Sequence, residues 1–379
     1  MARVLVLGSF ADSLVLFRGP LLTEMVRRGH QVYACAPGAS AELRRKLSAM
    51  GVVYCDVALQ RTGTNPLQDL RTILELIRLC RRIRPELFLG YTIKPVLYGS
   101  LAARVAGVAR RYSMIEGLGF TFMGSGLKSR LLGAVTNRMY RLALGYNEKV
   151  FFLNPDNLEL FLKRRLLRHE GQAVMLNGIG VDLERFRPAP FPQRISFLLI
   201  ARLLKDKGVR EYAAAARHIR RRHPAVSFRL VGWIDRDNPD TIDEKELESW
   251  VDSGDIEFVG RLDDVRPALR QCSVYVLPSY HEGMPVSVLE AMAMGRPVIT
   301  TDAPGCRETV HHGETGMMVP VADVDALVRA MEYFIQRPDE VERCGRAGRM
   351  LAEQRFDVHK VNAVMLHNMR LGGDDEIMD

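Results

Sequence analysis

Nowhere in the 379 residues is there an unbroken apolar run of the roughly 18 needed for a membrane-crossing helix, so nothing is expected to span a bilayer. The six cysteines (Cys35, Cys55, Cys80, Cys272, Cys306 and Cys344) form no C-x-x-C pair and have no histidine at metal-ligand spacing. They read as reduced, mostly buried thiols of a cytoplasmic protein. His281, His311 and His312 also lack the spacing of a metal site, so activity without an added divalent metal, and without any cofactor, is expected. The start MARVLVLGSF has no basic n-region, long h-region or cleavage site, which argues against a secretory leader. The stretch that follows, GSFADSLVLFRGPLL, is not G-x-G-x-x-G, and a dinucleotide fingerprint is missing. No basic stripe is interleaved with aromatic residues, so nucleic acid is not an expected partner.

What is present begins with charge. The net charge of +8 is uneven: residues 1–185 hold 27 Lys and Arg against 14 Asp and Glu, and residues 186–379 hold 26 against 31. The first half is the basic one. An anionic membrane or a phosphorylated substrate accounts for that, as does an ordinary solvated basic surface. With 47% hydrophobic residues the chain can build two α/β cores.

Short apolar runs alternate with helical patterns. In the first half the strand candidates are 3–8, 31–36, 52–57, 86–91, 111–115, 149–154 and 173–178, separated by helical stretches such as 66–82, 95–106 and 127–145. RFRPAPFPQR (185–194), with three prolines, breaks the rhythm and reads as a linker. A second set follows at 195–202, 227–233, 256–260, 274–278 and 297–301. Such alternation predicts α/β architecture, with two Rossmann-like domains whose parallel sheets face a central cleft. The expected boundaries are 1–185, 186–360 and a C-terminal helix and tail, 361–379, with LGGDDEIMD disordered.

HEGMPVSVLEAMAM (281–294) is a strand-end loop running into a helix. Glu282 sits where open α/β sheets bind ligands, and Gly283, Met284, Pro285 and Val286 open the helix, whose N–H groups suit an anion. Pro285 is expected in the first turn. Glu290, eight positions on, stands roughly 10–12 Å away along a helix axis. Carboxylates sharing one glycosidic bond stand about 5–9.5 Å apart. The two acids therefore either face solvent or hold two ends of one elongated ligand. IARLLKDKGV (200–209) places Arg202 and Lys207 after a strand, with Gly208 ahead of a helix. Two such cations can neutralise a diphosphate leaving group.

The R-x4-K-G segment (Arg202, Lys207, Gly208) and the E-x7-E segment (Glu282 to Glu290) together resemble glycosyltransferase family 4. LNGIGVDLERF (176–186) resembles that family's N-G-V-D-x-x-x-F crossover, and 297–320 its next block. The resemblance covers nearly the whole chain. It implies a GT-B fold and a retaining enzyme that uses a nucleotide-sugar donor. By that resemblance Arg202 and Lys207 hold the donor diphosphate, Glu282 meets hydroxyls of the transferred sugar, and Glu290 binds the ribose. Gly283, Met284, Pro285 and Val286 complete the donor site. A donor phosphate oxygen takes the acceptor proton, so no enzymic nucleophile is required.

FRGPLLTEMVRRGHQV, YTIKPVLYGSLAARVAG and MIEGLGFTF resemble a subgroup acting in O-antigen or capsule assembly, whose acceptors are sugars on undecaprenyl diphosphate. Arg18 and Lys94 then become candidates for the acceptor diphosphate. Many family members carry a His after the MIEGLG strand; here Glu116 stands in its place and its catalytic role is open. SRLLGAVTNRMYRLAL (129–144), with Arg130, Arg138 and Arg141, and LELFLKRRLLRH (158–169) read as basic amphipathic helices, either lying on an anionic membrane or facing the core. Asp235 and Asp237 form a D-x-D that reads as a solvated loop. The expectation is a transferase moving an N-acetylhexosamine from a UDP-sugar to a polyprenyl-diphosphate-linked saccharide, peripheral on the inner face of the plasma membrane. The alternatives are a soluble acceptor and a UDP-sugar 2-epimerase.

Overall fold

The computed structural model describes the backbone of every residue except 61–64, 118–126, 237, 239 and 373–379, and leaves out the side chains of 127–132 as well. Part of the MIEGLGFTF stretch, the Arg130 side chain, Asp237 and the acidic end of the tail lie outside the described residues.

Each apolar run of the sequence becomes a short parallel strand, and the central ones are covered on both faces, which is why these runs are continuous rather than alternating. The chain divides into two compact units, Met1–Ile179 with His359–Asp379, and Gly180–Val358. In the first unit the strands are β1 (Arg3–Leu7), β2 (Gln31–Ala36), β3 (Val53–Asp56), β4 (Leu87–Tyr91), β5 (Arg110–Ile115), β6 (Lys149–Phe152) and β7 (Ala173–Met175). They pair in parallel in the order β3-β2-β1-β4-β5-β6-β7. The second unit holds β8 (Ser196–Ile200), β9 (Ser227–Val231), β10 (Glu257–Gly260), β11 (Val274–Leu277), β12 (Val298–Thr301) and β13 (Gly316–Val319), all parallel, in the order β10-β9-β8-β11-β12-β13. Both orders reverse direction after their first strand, so each sheet has a switch point: between β1 and β4, and between β8 and β11. In such sheets the crevice outside the strand carboxyl ends at that point is where ligands bind.

The expected α/β class, with two doubly wound sheets, is the architecture found. Strand β13 went unrecognised because Gly316–Val319 is four residues long and opens on a glycine. Helix starts carry their own signals. Asn65 accepts from the N–H groups of Leu67 and Gln68 at 3.1 and 3.4 Å, and Asn154 from that of Asn157 at 2.8 Å, with Pro66 and Pro155 next in line.

The units divide at 179/180, ahead of the break at 185/186 that the prolines suggest. The proline segment packs onto the second unit through Arg296, which is fully buried. Its guanidinium lies 4.6 Å over the Phe191 ring and donates to the carbonyls of Pro190 (2.8 Å), Leu269 (3.0 Å) and Arg270 (3.2 Å). From His359 on, the C-terminal helix Val358–Asn368 falls with the first unit. Arg110 at the start of β5 donates to the carbonyls of Met369 and Arg370, both at 3.2 Å, just beyond that helix.

Replacing Arg296 with Met keeps the bulk and leaves three carbonyls without their donor. The expected cost is about 2–4 kcal/mol, seen in calorimetry as a lower unfolding midpoint. An unchanged midpoint would show that the proline segment is held by something else.

Candidate active site

The loops after β8 and β11 are pressed together at the second switch point. Gly208 adopts φ +68°, and a Cβ there would stand 2.1 Å from the carbonyl oxygen of Pro278. That approach lets both Tyr280 N–H, at 2.8 Å, and the Ser279 hydroxyl, at 3.1 Å, donate to the carbonyl oxygen of Asp206. It also brings Lys207 to Glu282: Nζ and Oε1 are 2.6 Å apart, with both side chains mostly covered. From the other side Gly305, at φ +82°, leaves room for the Glu282 carbonyl, which a Cβ would meet at 2.3 Å. The Glu282 N–H donates to Pro304 O at 2.9 Å. Glu282 is thus clasped between a β8 loop and a β12 loop.

Burial works against the charge on Lys207, but the carboxylates of Glu282 and Asp206 outweigh it and hold its pKa above the ordinary value. Asp206 is shifted the other way from a normal carboxylate. Burial raises its pKa, Lys207 pulls it down, and Glu282 and Asp240 push it up. Arg202 pairs with Asp235 at 2.9 Å. The first acid of the D-x-D therefore bonds a site cation, and the expectation of a solvated loop is corrected at Asp235, whose side chain is only 12% exposed.

Helix Val286–Ala293 begins two residues later than the expected start at Met284. Pro285 is its N-cap, in an extended conformation (φ −75°, ψ 110°), so it precedes the first turn instead of entering it. Gly283 presses its carbonyl on Gly305 and Met284 is buried. Glu290 lies half-buried in the second turn. Burial pushes its carboxyl up to about 8; Arg185 draws it down and Asp264 raises it further. Lys207 and Glu282 thus form one group, with Arg202 and Asp235 beside β8, while Glu290 has Arg185 and Asp264 for neighbours. Asp206, Asp235, Arg185, Asp264 and Gly305 are the residues that sequence reasoning missed. Asp206, Arg185 and Gly305 lay within the segments 200–209, 176–186 and 297–320, Asp235 was read only as part of a solvated D-x-D, and Asp264 had no signal.

In the first unit the switch-point loops hold a buried cation. Arg18 is 1% exposed, and its guanidinium lies 4.6 Å over the Tyr91 ring and 3.0 Å from Met114 Sδ. It forms an ion pair with Glu116, just past β5, while burial lowers its pKa to about 10. Tyr91 hydroxyl meets Ser13 Oγ at 2.8 Å, and Thr92, in the left-handed region at φ 67°, donates to Ser9 Oγ at 2.8 Å. Lys94 pairs with Asp69 at 2.8 Å. Neither cation read from the sequence as an acceptor contact is bare: Arg18 serves Glu116, and Lys94 is tied to the helix Pro66–Ile83. Among the described residues no group of three or more His, Cys, Asp or Glu is placed to hold a metal ion.

Residues 3–154 match the family described as Glycosyl transferase 4-like, and residues 194–337 that described as Glycosyl transferases group 1. The N,N'-diacetylbacillosaminyl-diphospho-undecaprenol alpha-1,3-N-acetylgalactosaminyltransferase of Campylobacter jejuni is 28% identical over 348 residues, 88% of this chain and 89% of that protein. The UDP-Gal:alpha-D-GlcNAc-diphosphoundecaprenol alpha-1,3-galactosyltransferase of Escherichia coli is 24% identical over 70% of each chain. Among solved structures, Anabaena HepE in complex with UDP and glucose superposes with a TM-score of 0.79 at 16% identity, covering 98% of this chain and 100% of that one. Sucrose-phosphate synthase from Thermosynechococcus elongatus gives 0.81 at 19% identity, covering 98% of each chain. The two structural likenesses establish the fold as GT-B.

Glu290 has a consequence for stability. Its folded carboxyl keeps a proton to about pH 8, whereas the unfolded chain releases it near 4.5, so the folded state binds more protons across that window. Stability from this group therefore falls as pH rises from 4.5 to about 8, and the loss is complete above that. Glu290→Gln removes the fall. The variant should exceed wild type by about 1–3 kcal/mol at pH 9, after allowance for partial exposure, and match it near pH 5. Thermal unfolding across pH checks this, and a pH-independent difference would refute it.

Proposed function

We propose that this chain, a glycosyltransferase of the family 4 kind, moves an N-acetylhexosamine unit from a UDP-sugar, with retention, to a saccharide carried on polyprenyl diphosphate. The work takes place at the cytoplasmic face of a membrane, in the assembly of a surface polysaccharide or glycoprotein oligosaccharide. The observation that carries the reading is the Lys207–Glu282 pair at a strand switch point, in a chain aligned over most of its length with transferases named for diphospho-undecaprenol acceptors.

Lys207 and Arg202 take the donor diphosphate. Each is already paired with a carboxylate, so the diphosphate exchanges places with Glu282 and Asp235 instead of meeting bare cations. Glu282, once displaced from Lys207, turns to the hydroxyls of the transferred sugar. The backbone of Gly283, Met284, Pro285 and Val286 borders the sugar and phosphates, and Glu290 meets the ribose. The bond from the anomeric carbon to the diphosphate oxygen breaks, and the acceptor oxygen bonds that carbon on the same face. The acceptor proton passes to the leaving phosphate oxygen, and the two cations stabilise the charge that develops there. Glu282, ion-paired and clasped by Gly305, suits hydroxyl binding better than attack on carbon.

On the acceptor side Glu116 receives a hydroxyl of the incoming saccharide, and Arg18 fixes its carboxylate. Lys94, with Asp69 as its exchangeable partner, is the cation for the acceptor diphosphate.

The exchange at Lys207 has a specific signature. Glu282→Gln removes the competitor of the diphosphate, so UDP should bind equally or up to about ten-fold tighter while transfer falls by about a hundred-fold or more. Lys207→Ala should weaken UDP by about ten-fold or more and lose transfer with it. Calorimetry with UDP, and transfer from a panel of UDP- and GDP-sugars to a polyprenyl-diphosphate N-acetylhexosamine, measure both. Weaker UDP binding in Glu282→Gln would sink the exchange. Formation of an epimer without acceptor would favour the epimerase instead.

Arg18 is assigned as a positioning residue, and a double-mutant cycle tests it. Arg18→Met and Glu116→Gln should each lower kcat/KM by about ten-fold or more, and the double variant no further than the worse single. Multiplying losses would mean that Arg18 contacts the acceptor on its own.

A further inference from the structure

Helix Pro66–Ile83 turns Thr72, Leu76, Leu79, Cys80 and Ile83 into the core of the first unit. Its outer face is unusual for a surface. Leu67 is 80% exposed, Leu70 54% and Leu74 44%, one helical turn after another. The same face continues with exposed Arg78, Arg81 and Arg82, and Arg71 stands beside the leucines. No exposed position of this helix carries a carboxylate. Asp69 is turned to Lys94 at 2.8 Å, and Glu75 is half-buried.

That ion pair also orients the helix. Lys94 follows β4 at its carboxyl end, so the leucine half lies at the end of the sheet that carries Arg18, Tyr91 and Glu116. The arginine half runs towards the amino end, where the chain enters β4. Leu16 and Phe17, in the loop and short helix after β1, are also exposed at the leucine end. A contiguous set of solvent-facing leucines whose fully exposed charged neighbours on the helix are all cations is costly in water and complementary to a surface that is apolar within and anionic outside.

Among the described side chains, neither of the two helices singled out by sequence presents a comparable row of leucines, although Leu127–Leu144 exposes Val135 and Leu142 beside Arg138 and Arg141. In Pro155–Lys163, Phe161 is buried and Leu158 packs on the core, while exposed Glu159 interrupts the basic face. In Leu127–Leu144, Arg141 donates to the carbonyls of Arg165 and Arg164 at 2.9 and 3.2 Å. Tyr140, Ala143 and Leu144 are buried there.

We propose that the outer face of Pro66–Ile83 is the docking surface for an anionic lipid bilayer. Leu67, Leu70 and Leu74 enter the acyl boundary, and Arg71, Arg78, Arg81 and Arg82 lie at the level of the lipid phosphates. This rests on the reading of the acceptor as lipid-linked and adds the direction of approach. The leucine end brings the switch-point loops of β1, β4 and β5 to the membrane, so a lipid-borne diphosphate reaches Lys94 and Glu116 without leaving the headgroup layer.

The test needs neither donor nor turnover. Purified full-length protein is sedimented with vesicles of phosphatidylcholine and phosphatidylglycerol in equal parts, and with phosphatidylcholine alone. Wild type should sediment with the mixed vesicles and stay in solution with the neutral ones. Leu67→Asn/Leu70→Asn/Leu74→Asn and Arg78→Gln/Arg81→Gln/Arg82→Gln should each weaken binding by about ten-fold or more. Both should keep the wild-type unfolding midpoint and affinity for UDP, since the altered side chains are exposed. Wild type left in solution, or leucine variants that sediment like wild type, would overturn the proposal. So would a lipid-free dimer that the leucine variants dissociate, because a second copy would then cover the face. Vesicle binding without transfer to any lipid-linked acceptor counts against the proposed function alone. Transfer to a short-chain soluble acceptor without vesicle binding counts against this inference alone.

Discussion

A lysine and a glutamate 75 residues apart in sequence meet at 2.6 Å because two stretches of backbone come closer than a Cβ allows. Gly208 against Pro278 draws the β8 loop to the β11 loop, and Gly305 against Glu282 closes the β12 loop over it. The rest of the second unit makes those approaches possible. Six short parallel strands with aligned carboxyl ends set the three loops side by side, and buried Arg296 pins the segment that enters the sheet. Neither glycine contributes a functional group, yet an alanine at either position would separate the charges that do.

Ion pairs satisfied within the fold explain why cations prominent in the sequence are not bare in the structure. Arg202, Lys207, Arg18 and Lys94 each face a carboxylate, and all four are largely covered. A covered cation without a partner costs several kcal/mol, and in the proposed function these carboxylates act as stand-ins for the incoming phosphates. Specificity then follows from the exchange. In the proposed exchange a ligand replaces a carboxylate on each cation and gives the displaced acid a hydroxyl to bind, which would favour a sugar diphosphate over a bare phosphate.

The fold was legible because parallel, doubly covered strands are written as continuous apolar runs, and twelve of the thirteen strands are visible that way. The thirteenth, Gly316–Val319, is too short and opens on glycine. Lys207 and Glu282 were legible as a pair through motif resemblance, but their contact was not, since it depends on tertiary approaches at Gly208 and Gly305. Asp235 and Asp206 were missed as partners because an acid in a polar loop looks the same whether solvated or paired. Leu67, Leu70 and Leu74 were hidden for a related reason. In a helix that also supplies Leu76 and Leu79 to the core, sequence shows too many leucines for one face and cannot say which are left outside.

The two acids of the E-x7-E segment have different electrostatic settings. Glu282 lies against a lysine, whereas Glu290 sits at the second turn of a helix with burial as its dominant influence and Asp264 adding to it. Holding a proton to about pH 8, Glu290 can donate one hydrogen bond as well as accept, and the folded apo chain is spared a half-buried negative charge. A ribose offers hydroxyls that do both. Such different settings do not suit the two residues to act as an acid and base on one bond. On the proposed function the segment joins a salt-bridged carboxylate that would hold the sugar while its bond breaks and a protonated one that would recognise the ribose.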